Sequence, residues 1–235
     1  MQVETLDDDT AVAQRAAAFI AAEARAAVQL RGLFTFAVSG GRTPWQMLRA
    51  LAGEDMPWQA VHLFQVDERV APAGDAARNL THIRESLLAS APLPAANLHA
   101  MPVEASDLDA AARSYGKTLN QIAGLPAVLD LAHLGLGPDG HTASLVPGDA
   151  ALQVMDADVA LTAPYQGHRR MTLTYPMLNR ARRILWLATG GEKREMLARL
   201  HAADASIPAG RIEQARATVL TDRAAPERLV VSARP

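Results

Sequence analysis

The stretch Leu33-Phe34-Thr35-Phe36-Ala37-Val38-Ser39-Gly40-Gly41-Arg42-Thr43-Pro44 predicts the fold class of this 235-residue chain. Its first half is a nearly continuous apolar run, which is typical of a strand buried on both faces of a sheet. Gly40 and Gly41 end that strand, and Pro44 suits the first position of a helix because its missing N–H needs no partner there. The stretch therefore predicts a strand that turns directly into a helix.

The same alternation of strand and helix continues along the chain. Apolar strand patterns recur at 61–66, 129–136, 171–174, 184–188 and 217–220, and helical patterns separate them at 79–89, 106–122 and 192–201. This alternation indicates an α/β fold with an open, mostly parallel, doubly wound sheet and helices on both faces, Rossmann-like and three-layered. Because no repeat, low-complexity tract or clear linker interrupts the pattern, we expect a single domain over residues 1–235.

Composition and charge exclude several classes of protein. The formal net charge of −2 argues against general nucleic-acid binding, which needs clustered Lys and Arg. The chain has no cysteine and its histidines lack metal-ligand spacing, so we predict no thiol nucleophile and no zinc site; His62 and His133, inside apolar strands, are expected in the core. The acidic N-terminus and the lack of a run of about 20 apolar residues predict a cytoplasmic protein without membrane contact.

Ligands of an open α/β sheet bind beyond the carboxyl ends of its strands, so the residues that end each strand are the candidate site residues. The first group consists of Ser39, Gly40, Gly41, Arg42 and Thr43. Thr43 could cap the following helix, and the free N–H groups at that helix N-terminus would favour an anion such as phosphate. An ordinary glycine turn between strand and helix explains the same spacing.

Charged and polar residues also follow the second strand. Asp67, Glu68 and Arg69 come directly after the 61–66 pattern, where they could contact sugar hydroxyls and a phosphate or simply face solvent in a loop. Asn79 could reach the same crevice or only cap the next helix. This strand end is a second candidate part of the site.

Basic residues mark two later strand ends. Lys193 follows a glycine pair after the 184–188 strand, and its charge in the first helical turn opposes the helix dipole. That small cost suggests an anion for the ammonium group, although an exposed lysine is an equally simple explanation. Arg170, just before the 171–174 strand, adds positive charge to the site or faces solvent.

The segment Gly135-Leu136-Gly137-Pro138-Asp139-Gly140-His141-Thr142-Ala143-Ser144 is the most informative strand end. It contains the G-x-G-x-x-G spacing of dinucleotide-binding turns, but it lies past the middle of the chain, and Pro147-Gly148 soon interrupt the helix that such a turn opens. We interpret it as a glycine-rich turn that presents Asp139 and His141 to the crevice, because histidine exchanges protons near neutral pH.

Taken together, five segments resemble the 6-phosphogluconolactonase family, within a wider group that includes glucosamine-6-phosphate deaminases. They follow the family's order and span most of the chain, at 39–44, 67–70 with Asn79, 135–145 with 147–148, 170–174 and 190–193. The resemblance implies hydrolysis of 6-phosphogluconolactone to 6-phosphogluconate in the oxidative pentose phosphate pathway. It also implies a small phosphorylated sugar lactone as the binding partner, with no metal and no cofactor.

The resemblance assigns roles to the candidate residues. His141 is the general base for the attacking water and then the acid for the departing ring oxygen. Asp139 holds either the imidazole or the water, and Asp67 contacts sugar hydroxyls. The substrate and its phosphate are expected to contact Ser39, Gly40, Gly41, Arg42, Thr43, Arg69, Asn79, Arg170 and Lys193.

Three other functions fit the sequence less well. The deaminases of the wider group carry an acidic residue shortly after the corresponding histidine, whereas residues 142–146 contain none. A sugar-phosphate sensor of transcription would attach a basic helix-turn-helix, for which the chain has neither room nor charge. An NAD-dependent oxidoreductase rests only on the glycine spacing.

Two positions depart from the family's pattern. Val146 stands where the family usually has Phe, and Arg78 stands where it usually has Ser. We expect Val146 to change only packing, whereas Arg78 could alter the rim of the site and its effect stays open.

Overall fold

The computed structural model describes residues 1–225, so residues 226–235 of the predicted single domain lie outside the described part. Seven strands form one sheet in which every pairing is parallel. Their spatial order is β1 (Gln2–Leu6), β10 (Ala217–Asp222), β9 (Arg183–Ala188), β6 (Leu131–Gly135), β2 (Phe34–Val38), β3 (Val61–Gln65) and β5 (Leu98–His99).

Helices cover both faces of this sheet, as the apolar strands predict. The α-helices of residues 1–225 are α1 (Asp9–Arg31), α2 (Arg42–Leu51), α3 (Asn79–Ile83), α4 (Leu108–Ala123), α5 (Tyr175–Asn179) and α6 (Arg194–His201). None of them is long and apolar enough to span a bilayer. Successive residues of β2 point to opposite faces, so Phe36 and Val38 join the core cluster of α1 and α2 while Ala37 joins that of α4. The predicted α/β class is confirmed.

A second, antiparallel sheet was not predicted. It contains β4 (Asp67–Arg69), β8 (Arg170–Leu173) and β7 (Val159–Leu161) in that order. No strand was predicted at 67–69 or at 159–161, because these short segments pair only with β8, which is far from β4 in the chain. The strand predicted near 171–174 exists, but it belongs to this small sheet.

The start of α2 also differs from expectation. The helix begins at Arg42 with Gly41 as its N-cap residue, and Gly41 has a φ of +134°, which glycine adopts without strain. Thr43 lies inside the first turn, so its predicted capping role is wrong. Its hydroxyl instead lies 2.7 Å from the Thr189 hydroxyl, which ties the turn after β2 to the turn after β9.

The strand order locates the crevice of the sheet. From β2 the chain runs through β3 to β5 on one side, and then returns to β6, β9 and β10 on the other. The carboxyl ends of the adjacent strands β2 and β6 therefore form the topological switch point, where ligands of open α/β sheets bind.

Candidate active site

A cavity of about 180 Å³ opens at the switch point between β2 and β6. The structure brings together predicted site residues from distant parts of the chain, because the cavity is lined by Ser39, Gly40, Asp67, Arg69, Asn79, His141, Arg170 and Lys193. The parallel sheet and the small antiparallel sheet each contribute some of them. The cavity is therefore built where the two sheets meet.

His141 and Asp139 form a hydrogen-bonded pair beside this cavity. His141 Nδ1 lies 2.5 Å from Asp139 Oδ1, and the His141 backbone N–H donates to the same oxygen at 3.1 Å. An ionised carboxylate only accepts, so Nδ1 carries the proton and the lone pair of the neutral ring lies on Nε2. Burial raises the pKa of Asp139, but hydrogen bonds from His141 and the Tyr165 hydroxyl outweigh it, so the net pKa lies below its usual value.

Two glycines shape the turn that carries this pair. Gly140 has a φ of +79°, and a Cβ there would lie 2.6 Å from Ile207 Cβ. A Cβ at Gly137 would overlap the His141 imidazole ring. The Gly137 N–H donates to the His141 carbonyl at 2.8 Å and closes the turn. Only glycine at position 137 lets the imidazole fold back over the backbone in this way.

Arg69 and Arg170 lie opposite each other in the small sheet. They are directly paired in the antiparallel register of β4 and β8, an arrangement of like charges that is destabilising by itself. Among residues 1–225 their guanidinium groups donate only to uncharged oxygens, those of Ala77, Asn79, Ser144, Tyr165 and Gln166. Burial and the neighbouring charge of Arg69 lower the pKa of Arg170. The nearby Asp67 carboxylate opposes this lowering, but it forms no ion pair with either guanidinium in the described part of the chain, so the paired arginines favour an anion in the cavity.

Asp67 and Asn79 are fixed by protein contacts at the same cavity. Asp67 Oδ2 accepts from the Ser144 hydroxyl at 2.6 Å, and Asn79 Nδ2 donates to Asp67 Oδ1 at 3.3 Å. Asn79 Oδ1 in turn accepts from Arg69 Nη1 at 2.8 Å. A Cβ at Gly40 would overlap the Asn79 amide, so the close approach of these two segments requires glycine there.

The buried Glu68 carboxylate fixes the backbone of this network by hydrogen bonds. Glu68 is fully buried, and its carboxylate accepts hydrogen bonds from Gln65 Nε2 and from the backbone N–H groups of Arg69, Asn79 and Leu80. Arg78 Nε lies 3.2 Å from Glu68 Oε2, and Arg78 is only 2% exposed. The sequence left the effect of Arg78 open, and the structure places its guanidinium away from the rim of the site, buried as the counter-charge of Glu68.

The segment after β2 is divided between two adjoining cavities. Gly41, Arg42 and Thr43 line a second cavity of about 260 Å³, and Lys193 lines both cavities. The Ser39 N–H donates to His133 Nδ1 at 3.2 Å, so this amide is not free for a phosphate, contrary to expectation.

The two histidines expected in the core behave differently. His133 is fully buried as predicted, and burial lowers its pKa to about 3. His62 is only partly buried, and its Nδ1 lies 3.1 Å from His99 Nε2. The prediction for His62 was wrong because its side chain lies beside the short edge strand β5 rather than in the interior.

Three side chains that shape the site were not given roles from the sequence. Glu68 belongs to a charged triplet and Ser144 to the glycine-rich segment, but neither side chain was assigned a contact of its own. Tyr165, whose hydroxyl donates to Asp139 Oδ2 at 3.0 Å, lies between β7 and β8, where no site residue was predicted. No local pattern marks Ser144 and Tyr165, because each acts through a partner from a distant segment, and none marks Glu68, because its burial appears only in the folded chain.

A parallel sheet whose switch point combines a histidine–aspartate pair with two adjacent arginines defines an α/β enzyme with a site for a small anion. The chain belongs to the family of glucosamine-6-phosphate isomerases and 6-phosphogluconolactonase, whose sequence profile matches residues 7–221. The resemblance found in the strand-end segments is thereby confirmed.

Individual relatives agree with this assignment. The 6-phosphogluconolactonase of Nostoc sp. is 35% identical over 207 residues, which cover 86% of this chain and 86% of the relative. That of Synechocystis sp. is 36% identical over 208 residues, covering 87% and 86%. The crystal structure of 6-phosphogluconolactonase from Thermotoga maritima matches with a TM-score of 0.84 at 28% identity, covering 94% of this chain and 98% of that one.

Proposed function

We propose that this chain hydrolyses 6-phosphogluconolactone to 6-phosphogluconate, a step of the oxidative pentose phosphate pathway. The observation that carries the proposal is that a histidine–aspartate pair and two adjacent arginines meet at one cavity. The histidine–aspartate pair suits acid–base chemistry on an ester carbonyl, and the two arginines suit a phosphate. The names of the Nostoc and Synechocystis relatives support the same substrate.

In the proposed reaction, Nε2 of neutral His141 takes a proton from a water molecule as the water oxygen attacks the lactone carbonyl. The bond from the carbonyl carbon to the ring oxygen then breaks, and the imidazolium returns its proton to that oxygen. Asp139 accepts from Nδ1 throughout, which fixes the ring and stabilises the imidazolium. Acid–base help of this kind is worth about 10²–10⁴ in rate.

The remaining site residues are proposed to bind the substrate. Arg69, Arg170 and Lys193 would bind the phosphate, and Gly41 to Thr43 in the adjoining cavity would extend that anion site. A carboxylate offers about four acceptor positions, so Asp67 keeps capacity for a sugar hydroxyl beside its bonds to Ser144 and Asn79.

The test is hydrolysis of freshly generated 6-phosphogluconolactone in the presence of EDTA, with the spontaneous rate subtracted. We expect the wild-type chain to accelerate the reaction and His141→Ala to lower kcat by about 10²–10⁴. His201→Ala is the matched control, because His201 lies exposed at the end of α6 outside both cavities.

Each other outcome has a defined meaning. Near-normal turnover by His141→Ala would remove His141 from the base role but keep the lactonase. No acceleration by the wild-type chain would overturn the proposed function, and turnover of glucosamine 6-phosphate would then identify the deaminase. Acceleration that EDTA abolishes would contradict the metal-free mechanism.

A further inference from the structure

Tyr165 stands at the tip of a hairpin between β7 and β8. Residues 165 and 168 form an antiparallel bridge, with the Tyr165 N–H donating to the His168 carbonyl at 2.9 Å. The two residues between them, Gln166 and Gly167, have φ values of +50° and +84°. Positive φ at both central positions is the geometry of tight two-residue hairpin turns, so the backbone at Tyr165 is well defined.

From this position Tyr165 contacts three groups of the candidate active site. Its hydroxyl donates to Asp139 Oδ2 at 3.0 Å, while Asp139 Oδ1 receives the bond from His141. Its ring lies edge-on to the His141 imidazole, with centroids 5.5 Å apart and planes at 69°. The Arg170 guanidinium carbon lies 5.1 Å from the centre of the same ring.

We propose that Tyr165 is a positioning residue for both the acid–base pair and the anion site. Its hydroxyl fixes the position of Asp139, and its ring fixes the position of the Arg170 guanidinium. Two donors on the two oxygens of Asp139 fix the rotation of the carboxylate, and the carboxylate fixes the imidazole. The ring face attracts the guanidinium by a cation–π contact. Occupation of the anion site and alignment of the base therefore depend on one side chain. This proposal rests on the proposed lactonase function.

The titration of the tyrosine supports this role. Burial and the hydrogen bond to Asp139 raise the pKa of Tyr165, so the hydroxyl stays protonated and keeps donating at neutral pH. The hydroxyl is also one of the contacts that lower the pKa of Asp139. Its removal should therefore let Asp139 take up a proton at higher pH. Within residues 1–225 the charged or titratable groups that contact Asp139 are His141 and Tyr165, and the Arg170 guanidinium carbon lies 5.1 Å from the centre of the tyrosine ring.

Two substitutions separate the hydroxyl from the ring. Tyr165→Phe should lower kcat for the lactone about three- to tenfold, less than the loss of the whole acid–base function, because Asp139 still contacts His141. It should leave KM unchanged and move the acid limb of the pH profile to higher pH. Tyr165→Ala should in addition raise KM about three- to tenfold. It should weaken the binding of 6-phosphogluconate, measured by titration calorimetry, by the same factor.

Tyr175→Phe is the matched control. The Tyr175 hydroxyl donates to the Pro208 carbonyl at 3.1 Å and Arg211 lies 4.3 Å from its ring centre, yet Tyr175 lines neither cavity. We expect wild-type kinetic constants and an unchanged pH profile for this variant. A purely structural effect of losing a tyrosine hydroxyl would appear here as well.

The outcomes distinguish the two proposals. Wild-type kcat and an unmoved acid limb in Tyr165→Phe would overturn the role of the hydroxyl. Equal 6-phosphogluconate affinity in the Phe and Ala variants would overturn the role of the ring. A wild-type chain that binds 6-phosphogluconate but does not hydrolyse the lactone would overturn the proposed function alone, and the affinity comparison would still decide the role of the ring.

Discussion

Replacing Arg78 by Met is expected to lower the free energy of unfolding, because the buried Glu68 carboxylate loses its cationic neighbour. Glu68 is fully buried, and the Arg78 guanidinium is its cationic neighbour at 3.2 Å. Removing one partner of a buried ion pair costs about 3–5 kcal/mol. Four N–H donors would still stabilise the Glu68 carboxylate, so we expect the lower end, about 3 kcal/mol. For a chain of this length that loss corresponds to a Tm lower by about 6–12 °C.

Urea unfolding followed by circular dichroism measures this loss as a difference in the free energy of unfolding. A double-mutant cycle with Glu68→Gln isolates the pair, and we expect the two substitutions to be coupled by about 1–3 kcal/mol. Arg84→Met is the matched control, because Arg84 is exposed on the next turn and its loss should change stability by less than about 0.5 kcal/mol. Additive single effects, or an Arg78→Met variant as stable as the wild type, would refute the reasoning.

Two further predictions concern the glycine-rich turn and the buried histidine. Gly137→Ala should lower lactonase kcat by about 10² or more, because its Cβ would displace the His141 ring. Gly116→Ala in α4, whose added Cβ would have its nearest neighbour at 3.9 Å, is the control and should keep full activity; a normal kcat for Gly137→Ala would show that the imidazole tolerates the shift. The second prediction follows from the low pKa of His133, about 3 against the 6.5 of an ordinary histidine: the neutral ring stabilises the fold above pH 6.5, and this stability is lost as the pH falls below that value. The free energy of unfolding should therefore fall by about 1.4 kcal/mol per pH unit from this group between about pH 6 and pH 4, and His133→Gln should show a shallower slope in urea titrations at several pH values; an equal slope would contradict it.

Much of the architecture could be predicted because its signals are local. The stretch from Leu33 to Pro44 contains a buried strand, a glycine turn and a helix start within a few residues, and the same pattern recurs at later strands. The turn from Gly135 to Ser144 likewise contains its glycines, Asp139 and His141 together, so the proposed acid–base pair could be predicted from one segment. The carboxyl ends of parallel strands lie at one edge of a sheet. The polar residues that follow β2, β3 and β6 could therefore be predicted to lie close together.

The sequence by itself determined the parallel sheet and the edge that holds the candidate site, and it supplied the residue proposed as the base. Only the tertiary structure decided that Arg69 lies opposite Arg170, that Arg78 neutralises Glu68 beneath the site, and that Tyr165 holds Asp139. The first contact joins β4 to β8, the second joins the residue before α3 to a buried carboxylate, and the third joins a hairpin tip to a distant turn. The physical reason is that hydrophobic periodicity and turn chemistry act over a few neighbouring residues, whereas the register between distant short strands is fixed only when the whole chain packs.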